Sequence, residues 1–245
     1  MVVDNWKQFR IVVKLDPDKK LSREALQVLK IAEIDAIIIG GTQNITMENS
    51  LNLLEEILHC GYRGPIFHEI SEKEVILTEV TGYLIPVVLN AGELLWLRDA
   101  HLKAITTYGQ LIPWTKVTPV GYLVCNPDAA VAHKTKSRFL DLEEAISYLI
   151  LAEKIFNFSI FYIEYSGIYG DLNLISEVAA KRDNIHIIYG GGIETIKQAQ
   201  EILEYVDTIV IGNLMYRSPK NLLDITEALG KKIQDRWDEN AVYKK

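Results

Sequence analysis

Two apolar segments in the second half of the chain end in glycine residues, and this pattern is suited to binding phosphate. Ile185–Tyr189 is followed by Gly190–Gly192 and a polar helical pattern, and Thr208–Ile211 is followed by Gly212 and Asn213. Glycine lets the backbone approach an anion closely, and the unpaired N–H groups of the first helical turn point towards it. Two such turns in succession predict a phosphate site, with tight turns that bind nothing as the alternative.

A carboxylate follows a third apolar segment directly. Glu164 comes after Ile160–Ile163, and Tyr162 and Tyr165 flank it. A carboxylate at the end of a buried strand requires either an internal partner or a ligand that carries hydroxyl groups. Phenol groups supply hydrogen-bond donors at low entropic cost. The segment is therefore a candidate binding site for a hydroxyl-bearing ligand.

The first third of the chain carries a lysine, a carboxylate and a hydroxyl group within or just after apolar segments. Lys14 stands inside an apolar segment, Asp16 precedes Pro17, and Thr42 follows two glycines. Such a lysine either meets an anion or extends its head to water between helices. One carboxylate and one hydroxyl group suit Mg²⁺, which prefers few protein ligands together with water and phosphate oxygens. The alternative is that Asp16 and Thr42 are turn residues.

The elements that must position these residues alternate between strands and helices. Eight apolar segments predict strands: Phe9–Leu15, Ala36–Ile39, Pro65–Phe67, Tyr83–Val87, Val120–Cys125, Ile160–Ile163, Ile185–Tyr189 and Thr208–Ile211. Seven amphipathic segments predict helices: Ser22–Ala32, Thr46–Leu58, Gly92–Thr107, Leu142–Ile155, Leu172–Lys181, Glu194–Tyr205 and Pro219–Ile233. The alternation indicates a parallel sheet. In 245 residues, eight strands favour one (β/α)₈ TIM barrel over an open sheet.

In such a barrel all strands end at one rim, where ligands bind. The candidate residues named so far stand at or just past predicted strand ends, so we expect them to meet there. One unit departs from the pattern, because Ser71–Thr81 has room for a short helix or a loop but not for a full barrel helix. We find no linker or repeat, and we expect one domain over residues 1–245 with a frayed tail at 235–245.

Composition narrows the class of protein. The net charge is −7, which argues against a nucleic-acid partner. Cys60 and Cys125 form no C-x-x-C pair, so a disulfide framework and a zinc site are not expected. The first residues lack the long apolar region of a signal peptide, and no apolar run is long enough to span a bilayer. These features favour a cytoplasmic protein with reduced thiols.

Five motifs resemble those of the geranylgeranylglyceryl phosphate synthase family, and most of all its bacterial PcrB branch, the heptaprenylglyceryl phosphate synthases. They are KLDP at Lys14–Pro17, IIGGT at Ile38–Thr42, YIEYSG at Tyr162–Gly167, YGGGI at Tyr189–Ile193 and IGN at Ile211–Asn213. The resemblance implies a prenyltransferase on a barrel with a modified third helix. Such an enzyme joins sn-glycerol 1-phosphate to a long polyprenyl diphosphate, here heptaprenyl, by an ether bond, with Mg²⁺.

The resemblance also implies roles for the matching residues. Lys14 would contact the glycerol phosphate, and Asp16 and Thr42 would hold Mg²⁺ on the diphosphate. The glycerol moiety would bind to Tyr162, Ile163, Glu164, Tyr165, Ser166 and Gly167. Within that run, Glu164 and Tyr162 would be the catalytic residues. Gly192, Gly212 and Asn213 would bind the phosphate.

The same resemblance has implications for the length of the prenyl chain and for the partners of the protein. Ala104, in the predicted helix after strand 4, would leave the prenyl channel open where archaeal relatives carry a bulky aromatic residue. Relatives commonly form homodimers, and a lipid product makes a transient contact with a membrane surface plausible. Two other functions stay open: a sugar-phosphate isomerase or aldolase, with Lys14 as a Schiff-base lysine, and a non-catalytic protein that binds a phosphorylated metabolite.

Overall fold

The apolar segments form eight parallel strands that pair in chain order and close into a barrel. The structure, a computed structural model, describes residues 6–242, with side chains described up to residue 230. The strands are β1 (Ile11–Leu15), β2 (Ala36–Ile39), β3 (Ile66–Glu69), β4 (Gly82–Val88), β5 (Val117–Val124), β6 (Ile160–Tyr165), β7 (His186–Gly191) and β8 (Thr208–Ile211). Strand β8 pairs with β1, so the barrel is closed. The predicted (β/α)₈ barrel is confirmed.

Helices follow most of the strands. They are α1 (Arg23–Ile31), α2 (Met47–His59), α3 (Ala100–Tyr108), α4 (Ala130–Thr135), α5 (Leu142–Ile150), α6 (Leu172–Ala180), α7 (Ile196–Ile202), α8 (Asn213–Arg217) and α9 (Pro219–Val242). A π-helical turn, Leu95–Asp99, precedes α3, and another, Leu151–Ile155, follows α5. The predicted N-cap Ser22 accepts a hydrogen bond from the N–H of Ala25. Of the predicted tail at 235–245, the part up to Val242 belongs to α9, and the rest lies outside the described residues.

Side chains alternate along each strand between the barrel interior and the surrounding helices. The interior cluster includes Val12, Ile38, Phe67, Tyr122, Tyr162 and Val210. Trp6 and Phe9, which precede β1, pack on Phe67 with ring centroids 5.0 Å and 6.0 Å from it. These aromatic rings fill the barrel interior below the strand ends. The cavity is left at the carboxyl ends of the strands, where barrels bind their ligands.

A packed loop replaces the third barrel helix. Residues 71–81 contain no helix, so of the two predicted alternatives, a short helix or a loop, the structure has the loop. Leu77 is fully buried, its N–H donates to Nδ1 of His68 over 3.3 Å, and its carbonyl accepts from the hydroxyl of Tyr83 over 2.7 Å. The loop is therefore held by apolar burial and two hydrogen bonds at one residue.

The buried His68 makes stability depend on pH. Burial lowers the pKa of His68 to about 4, although the nearby carboxylate of Glu69 opposes the shift. Because an unfolded histidine titrates near 6.5, the stability that this residue contributes is complete above pH 6.5 and is lost as the pH falls towards 4. The loss is on the order of 3 kcal/mol.

His68→Asn keeps an acceptor near the N–H of Leu77 and removes the titration. Its melting temperature should therefore decline less steeply than that of the wild type between pH 6.5 and pH 4, as measured by thermal denaturation in a pH series. His59→Asn, at an exposed histidine of α2, is the matched control and should follow the wild-type curve. Equal slopes for His68→Asn and the wild type would show that His68 does not link folding to pH.

Candidate functional site

A cavity of about 1240 Å³ opens at the carboxyl ends of the strands. Its lining includes the candidate residues Lys14, Asp16, Thr42, Ala104, Tyr162, Glu164, Ser166, Gly167, Gly192, Gly212 and Asn213. The candidates at or just past strand ends therefore meet at one rim, as their positions predict, and Ala104 lines the same cavity from α3. Two further candidates, Ile163 and Tyr165, are not part of this lining.

The floor of the cavity is an ion pair enclosed by aromatic rings. Lys14 Nζ donates to Glu69 Oε1 over 2.7 Å, and the hydroxyl of Tyr122 donates to Glu69 Oε2. The rings of Tyr122 and Tyr162 stack with centroids 4.4 Å apart, and Lys14 Nζ lies 5.9 Å from the centroid of each. The lysine therefore meets an anion inside the barrel, and the alternative of an outward, solvated head is wrong.

Charges on the floor decide the protonation state of Lys14. Burial by itself would lower the pKa of Lys14, but the carboxylates of Glu69 and Glu164 outweigh it and raise that pKa above its usual value. Lys14 is therefore a fixed cation at neutral pH. A Schiff-base lysine needs the opposite environment, since its amine must be free of a proton to attack a carbonyl group.

Glu164 has both an internal partner and access to the cavity. Its Oε1 accepts hydrogen bonds from the N–H of Ser166 over 2.8 Å and from the Ser166 hydroxyl over 2.6 Å. Burial raises the pKa of Glu164, and Lys14 and Ser166 partly offset that rise. Both bonds from Ser166 go to Oε1, which leaves Oε2 available to a bound hydroxyl group. A carboxylate with a raised pKa is suited to accept a proton.

Ile163 and Tyr165 point away from the cavity. Both belong to the cluster between barrel and helices, and the ring of Tyr165 lies 6.1 Å from that of Tyr189. Because side chains alternate along a strand, only Tyr162 and Glu164 of this run face inward. The expectation that Tyr165 supplies a phenol donor to the cavity is therefore wrong, and the binding roles that the resemblance implies for Ile163 and Tyr165 stay predictions.

Asp16 and Thr42 lie close together on the rim. A Cβ atom at Gly41, beside Thr42, would overlap the carboxylate of Asp16, so glycine permits this close approach. Asp16 Oδ1 accepts from the N–H of Asp18 over 3.0 Å, and the nearest cation to Oδ2 is Lys19 Nζ at 3.9 Å. No group of three or more acidic, histidine or cysteine side chains with metal-binding geometry occurs among the described residues. The donor set suits a cation held mainly by water and phosphate oxygens.

The glycine turns follow β7 and β8 and line the cavity beside β1. Gly192 donates its N–H to the carbonyl of Ile168 over 2.6 Å, and a Cβ atom there would lie 2.8 Å from the nitrogen of Tyr169. Glycine is required at 192 because two loops meet there, and its N–H is already used. Asn213 instead reaches a cation, since its Oδ1 accepts from Lys19 Nζ over 3.1 Å.

An apolar channel continues the cavity along the outside of the barrel wall. It is lined by side chains on the outer face of β4 and β5 and by α3 with its flanking segments, among them Ile85, Val87, Val117, Pro119, Trp96, Ala104, Ile105 and Trp114. Helix α3 has no fully buried residue, so it stands off the strands that a barrel helix normally covers. Ala104 lies on the channel side of that helix.

Sequence reasoning missed two residues of the floor. Glu69 was missed because the third strand was predicted to end at Phe67, whereas it continues to Glu69. Alternation from the inward Phe67 would have placed Glu69 inward as well. Tyr122 was missed although its spacing from Val120 and Val124 carries the same signal. Neither residue belongs to a motif that the resemblance singled out.

Known proteins resemble this chain over most of its length. The sequence model of the PcrB family matches residues 3–229. The heptaprenylglyceryl phosphate synthase of Listeria welshimeri is 42% identical over 220 residues, covering 89% of this chain and 97% of that protein. That of Bacillus cytotoxicus is 37% identical over 228 residues, covering 93% and 97%.

A solved structure shares the fold. The (S)-3-O-geranylgeranylglyceryl phosphate synthase of Thermoplasma acidophilum, in complex with sn-glycerol-1-phosphate, superposes with a TM-score of 0.79 at 24% identity over 92% of this chain and 95% of that one. At 24% identity, this structural similarity supports the fold assignment alone. The family model and the bacterial relatives span most of the sequence, and they confirm the resemblance carried by the five motifs: this chain belongs to the PcrB family.

Proposed function

We propose that this protein transfers a long polyprenyl group, heptaprenyl, from its diphosphate to sn-glycerol 1-phosphate, forming an ether bond and releasing diphosphate. The observation that carries the proposal is one cavity that joins a charged floor to an apolar channel. The relatives named above are heptaprenylglyceryl phosphate synthases, which supports the same reaction here. A small polar acceptor fits the floor, and a long hydrocarbon chain fits the channel.

Glycerol phosphate binds between the floor and the glycine turns in this proposal. Lys14 attracts the anion, and Gly192, Gly212 and Asn213 line the place of the phosphate. Because the N–H of Gly192 is already bonded to Ile168, this glycine contributes shape, and Asn213 with the adjacent Lys19 contributes polar contacts. Ser166 and Gly167 border the glycerol moiety. Binding energy from the phosphate serves to position the hydroxyl group that reacts.

Glu164 is the proposed proton acceptor. The glycerol hydroxyl attacks the first carbon of the prenyl chain, the bond from that carbon to the diphosphate breaks, and the hydroxyl proton moves to Glu164 Oε2. The two bonds from Ser166 hold the carboxylate in orientation through Oε1. Tyr162 lies beside it, stacked on Tyr122, and offers its ring face to positive charge that develops at the allylic carbon. Positioning of the two reactants lowers the barrier further.

Diphosphate binds at the rim near Asp16 and Thr42 in the same proposal. Mg²⁺ bound there would neutralise the diphosphate and make it a better leaving group. Lys134 lies nearby, since its Nζ donates to the carbonyl of Thr42 over 2.9 Å and lies 5.3 Å from the ring centroid of Trp96, and the same ammonium group pairs with Glu72 over 2.9 Å. The rim thus attracts the diphosphate on one side, and the channel receives the chain beside Trp96.

A membrane contact and a dimer complete the proposal. Leu111 and Trp114 are 81% and 54% exposed and also line the channel, so apolar surface continues from the channel to its outside, as lipid release to a bilayer requires. No helix in the described part of the chain is long and apolar enough to cross a membrane. We also propose a homodimer, and the exposed apolar side chains Phe139, Ile155 and Phe156 are candidates for its contact.

Radiolabelled sn-glycerol 1-phosphate with a panel of polyprenyl diphosphates tests the function. Transfer to the heptaprenyl substrate, dependent on added Mg²⁺, is the expected result. Binding of glycerol phosphate without transfer to any chain would favour a non-catalytic protein. Trapping of Lys14 by borohydride with a carbonyl substrate would favour an aldolase, which the pairing of Lys14 with Glu69 opposes.

Glu164→Gln should keep the fold and lose roughly 10²-fold or more in turnover, since the proton acceptor is removed. The raised pKa of Glu164 means that its ionised form lowers stability as the pH rises above 4.5, so the melting temperature at pH 7 should not fall. Turnover and thermal denaturation check both points. Glu177→Gln, an exposed glutamate of α6, is the control. Turnover within a few-fold of the wild type would make Glu164 structural.

Asp16→Ala and Thr42→Val should weaken Mg²⁺-dependent binding of the prenyl diphosphate and spare that of glycerol phosphate. The reason is that the two anions occupy different subsites in this proposal, the diphosphate after β1 and β2 and the glycerol phosphate after β6, β7 and β8. Calorimetric titration of each ligand measures the two affinities, and circular dichroism checks the fold. An equal loss of both affinities would refute the division into two subsites.

Ala104→Trp should shift the preference to shorter diphosphates and keep activity on them. Each CH₂ group that a filled channel excludes removes about 0.8 kcal/mol of binding. Competition among the diphosphates of the panel measures the preference. Thr107→Trp adds the same bulk on the exposed side of α3 and should leave the preference unchanged. Equal use of the longest chain by Ala104→Trp would show that Ala104 does not set chain length.

A further inference from the structure

Glu69 is the buried charge to which neither the motifs nor the proposed reaction gives a role. It lies on β3, only 5% exposed, and lines the cavity. One carboxylate oxygen accepts from Lys14 and the other accepts from Tyr122. A carboxylate removed from water requires such partners, but a structural reason alone does not explain why it lies at the reacting end of the barrel.

Lys14 stands between two carboxylates and pairs with one of them. Its Nζ lies 2.7 Å from Glu69, and the described structure contains no ion pair of 4.0 Å or less between Lys14 and Glu164. Glu164 instead takes its hydrogen bonds from Ser166. If Glu69 did not hold it, the ammonium group would be free to turn towards Glu164, the other buried anion of the floor.

We propose that Glu69 is a positioning residue of the transfer reaction: it anchors Lys14 and Tyr122 and so keeps the ammonium group from closing on Glu164, whose carboxylate stays open to the proton of the glycerol hydroxyl. The inference rests on the function proposed above. It adds a residue to which no substrate contact is assigned and which acts through Lys14, the side chain that attracts the glycerol phosphate, and through Tyr122. The anchored Tyr122 in turn fixes the stacked ring of Tyr162.

Few charged groups lie near Glu164, so the effect of Glu69 on the pKa of Glu164 can be measured. Strand β1 contributes Lys14 and, at the rim, Asp16; β3 contributes Glu69; β5 and β6 contribute the phenols of Tyr122 and Tyr162. Asp128 lies at the rim after β5, the thiol of Cys125 and the phenol of Tyr189 on β7 also lie near Glu164, and β2, β4 and β8, which the structure describes in full, contribute no charged side chain to the cavity lining. Burial first, and then the repulsion from Glu69, raise the pKa of Glu164, whereas Lys14 lowers it.

Two effects of Glu69→Gln therefore both lower the pKa of Glu164. It removes a negative charge near Glu164 and releases Lys14 towards it, so the pKa of Glu164 should fall by at least about half a unit. Carbon-13 NMR of protein labelled at the glutamate carboxyl carbons measures this titration, and the signal lost in Glu164→Gln assigns it. The experiment uses the full chain without substrates. A pKa that stays the same or rises in Glu69→Gln overturns the proposal.

Kinetics give the second readout. Glu69→Gln should lower kcat about tenfold, because Lys14 now occupies the proton acceptor, and should leave KM for heptaprenyl diphosphate within about twofold. The acid limb of the pH profile should move to lower pH with the NMR titration. Glu69→Asp keeps the charge but is too short to hold both partners, so it should be intermediate in both readouts, and it carries the test if Glu69→Gln does not fold.

Glu74→Gln removes a carboxylate from the exposed loop after β3 and should match the wild type in both readouts. Unchanged kcat and pH profile in Glu69→Gln would overturn the positioning role. An absence of prenyl transfer by the wild type would instead defeat the proposed function, and the NMR titration would still decide whether Glu69 governs Glu164.

Discussion

One buried ion pair, Lys14 with Glu69, determines how the other side chains of the site are arranged. An isolated ammonium group inside a barrel would lose its proton or require water, because the low-dielectric interior disfavours an unpaired charge. Glu69 prevents this, and it also binds the hydroxyl of Tyr122, whose ring stacks on that of Tyr162. The cation, the aromatic walls and the second carboxylate, Glu164, are thus fixed relative to one another before any ligand binds.

Closure of the barrel makes this arrangement possible. Lys14 and Glu69 lie 55 positions apart in sequence on β1 and β3, and Glu164 stands on β6, nearly opposite in strand order. A closed ring of parallel strands brings the last inward residue of each strand to one level. The interior below is filled by Trp6, Phe9 and Phe67, so the charged layer rests on a rigid aromatic base.

Much of this architecture can be predicted from the sequence, and the predictions that were wrong have identifiable causes. The alternation of apolar and amphipathic segments determines the barrel, and strand ends indicate Lys14 and Glu164. Tyr165 was expected to supply a phenol donor because it flanks Glu164 along the chain, but the two-residue period of a strand turns its side chain away from the cavity. Glu69 was missed because a strand boundary predicted two residues early hides an inward position. The distance of α3 from the barrel could not be predicted, because an amphipathic helix has the same pattern whether it covers strands or a channel.

That distance has a thermodynamic consequence. Between α3 and the outer face of β4 and β5 the polypeptide leaves a hydrophobic core unfinished, and Ile105, which lines this gap, is more than two fifths exposed. A bound hydrocarbon chain would complete that core, so occupancy of the channel and the folding of α3 become linked equilibria. Binding would carry the large negative heat-capacity change of apolar burial. Amide exchange in α3 would slow in proportion to chain length, and the lipid would serve as the interior of the protein for as long as it stays bound.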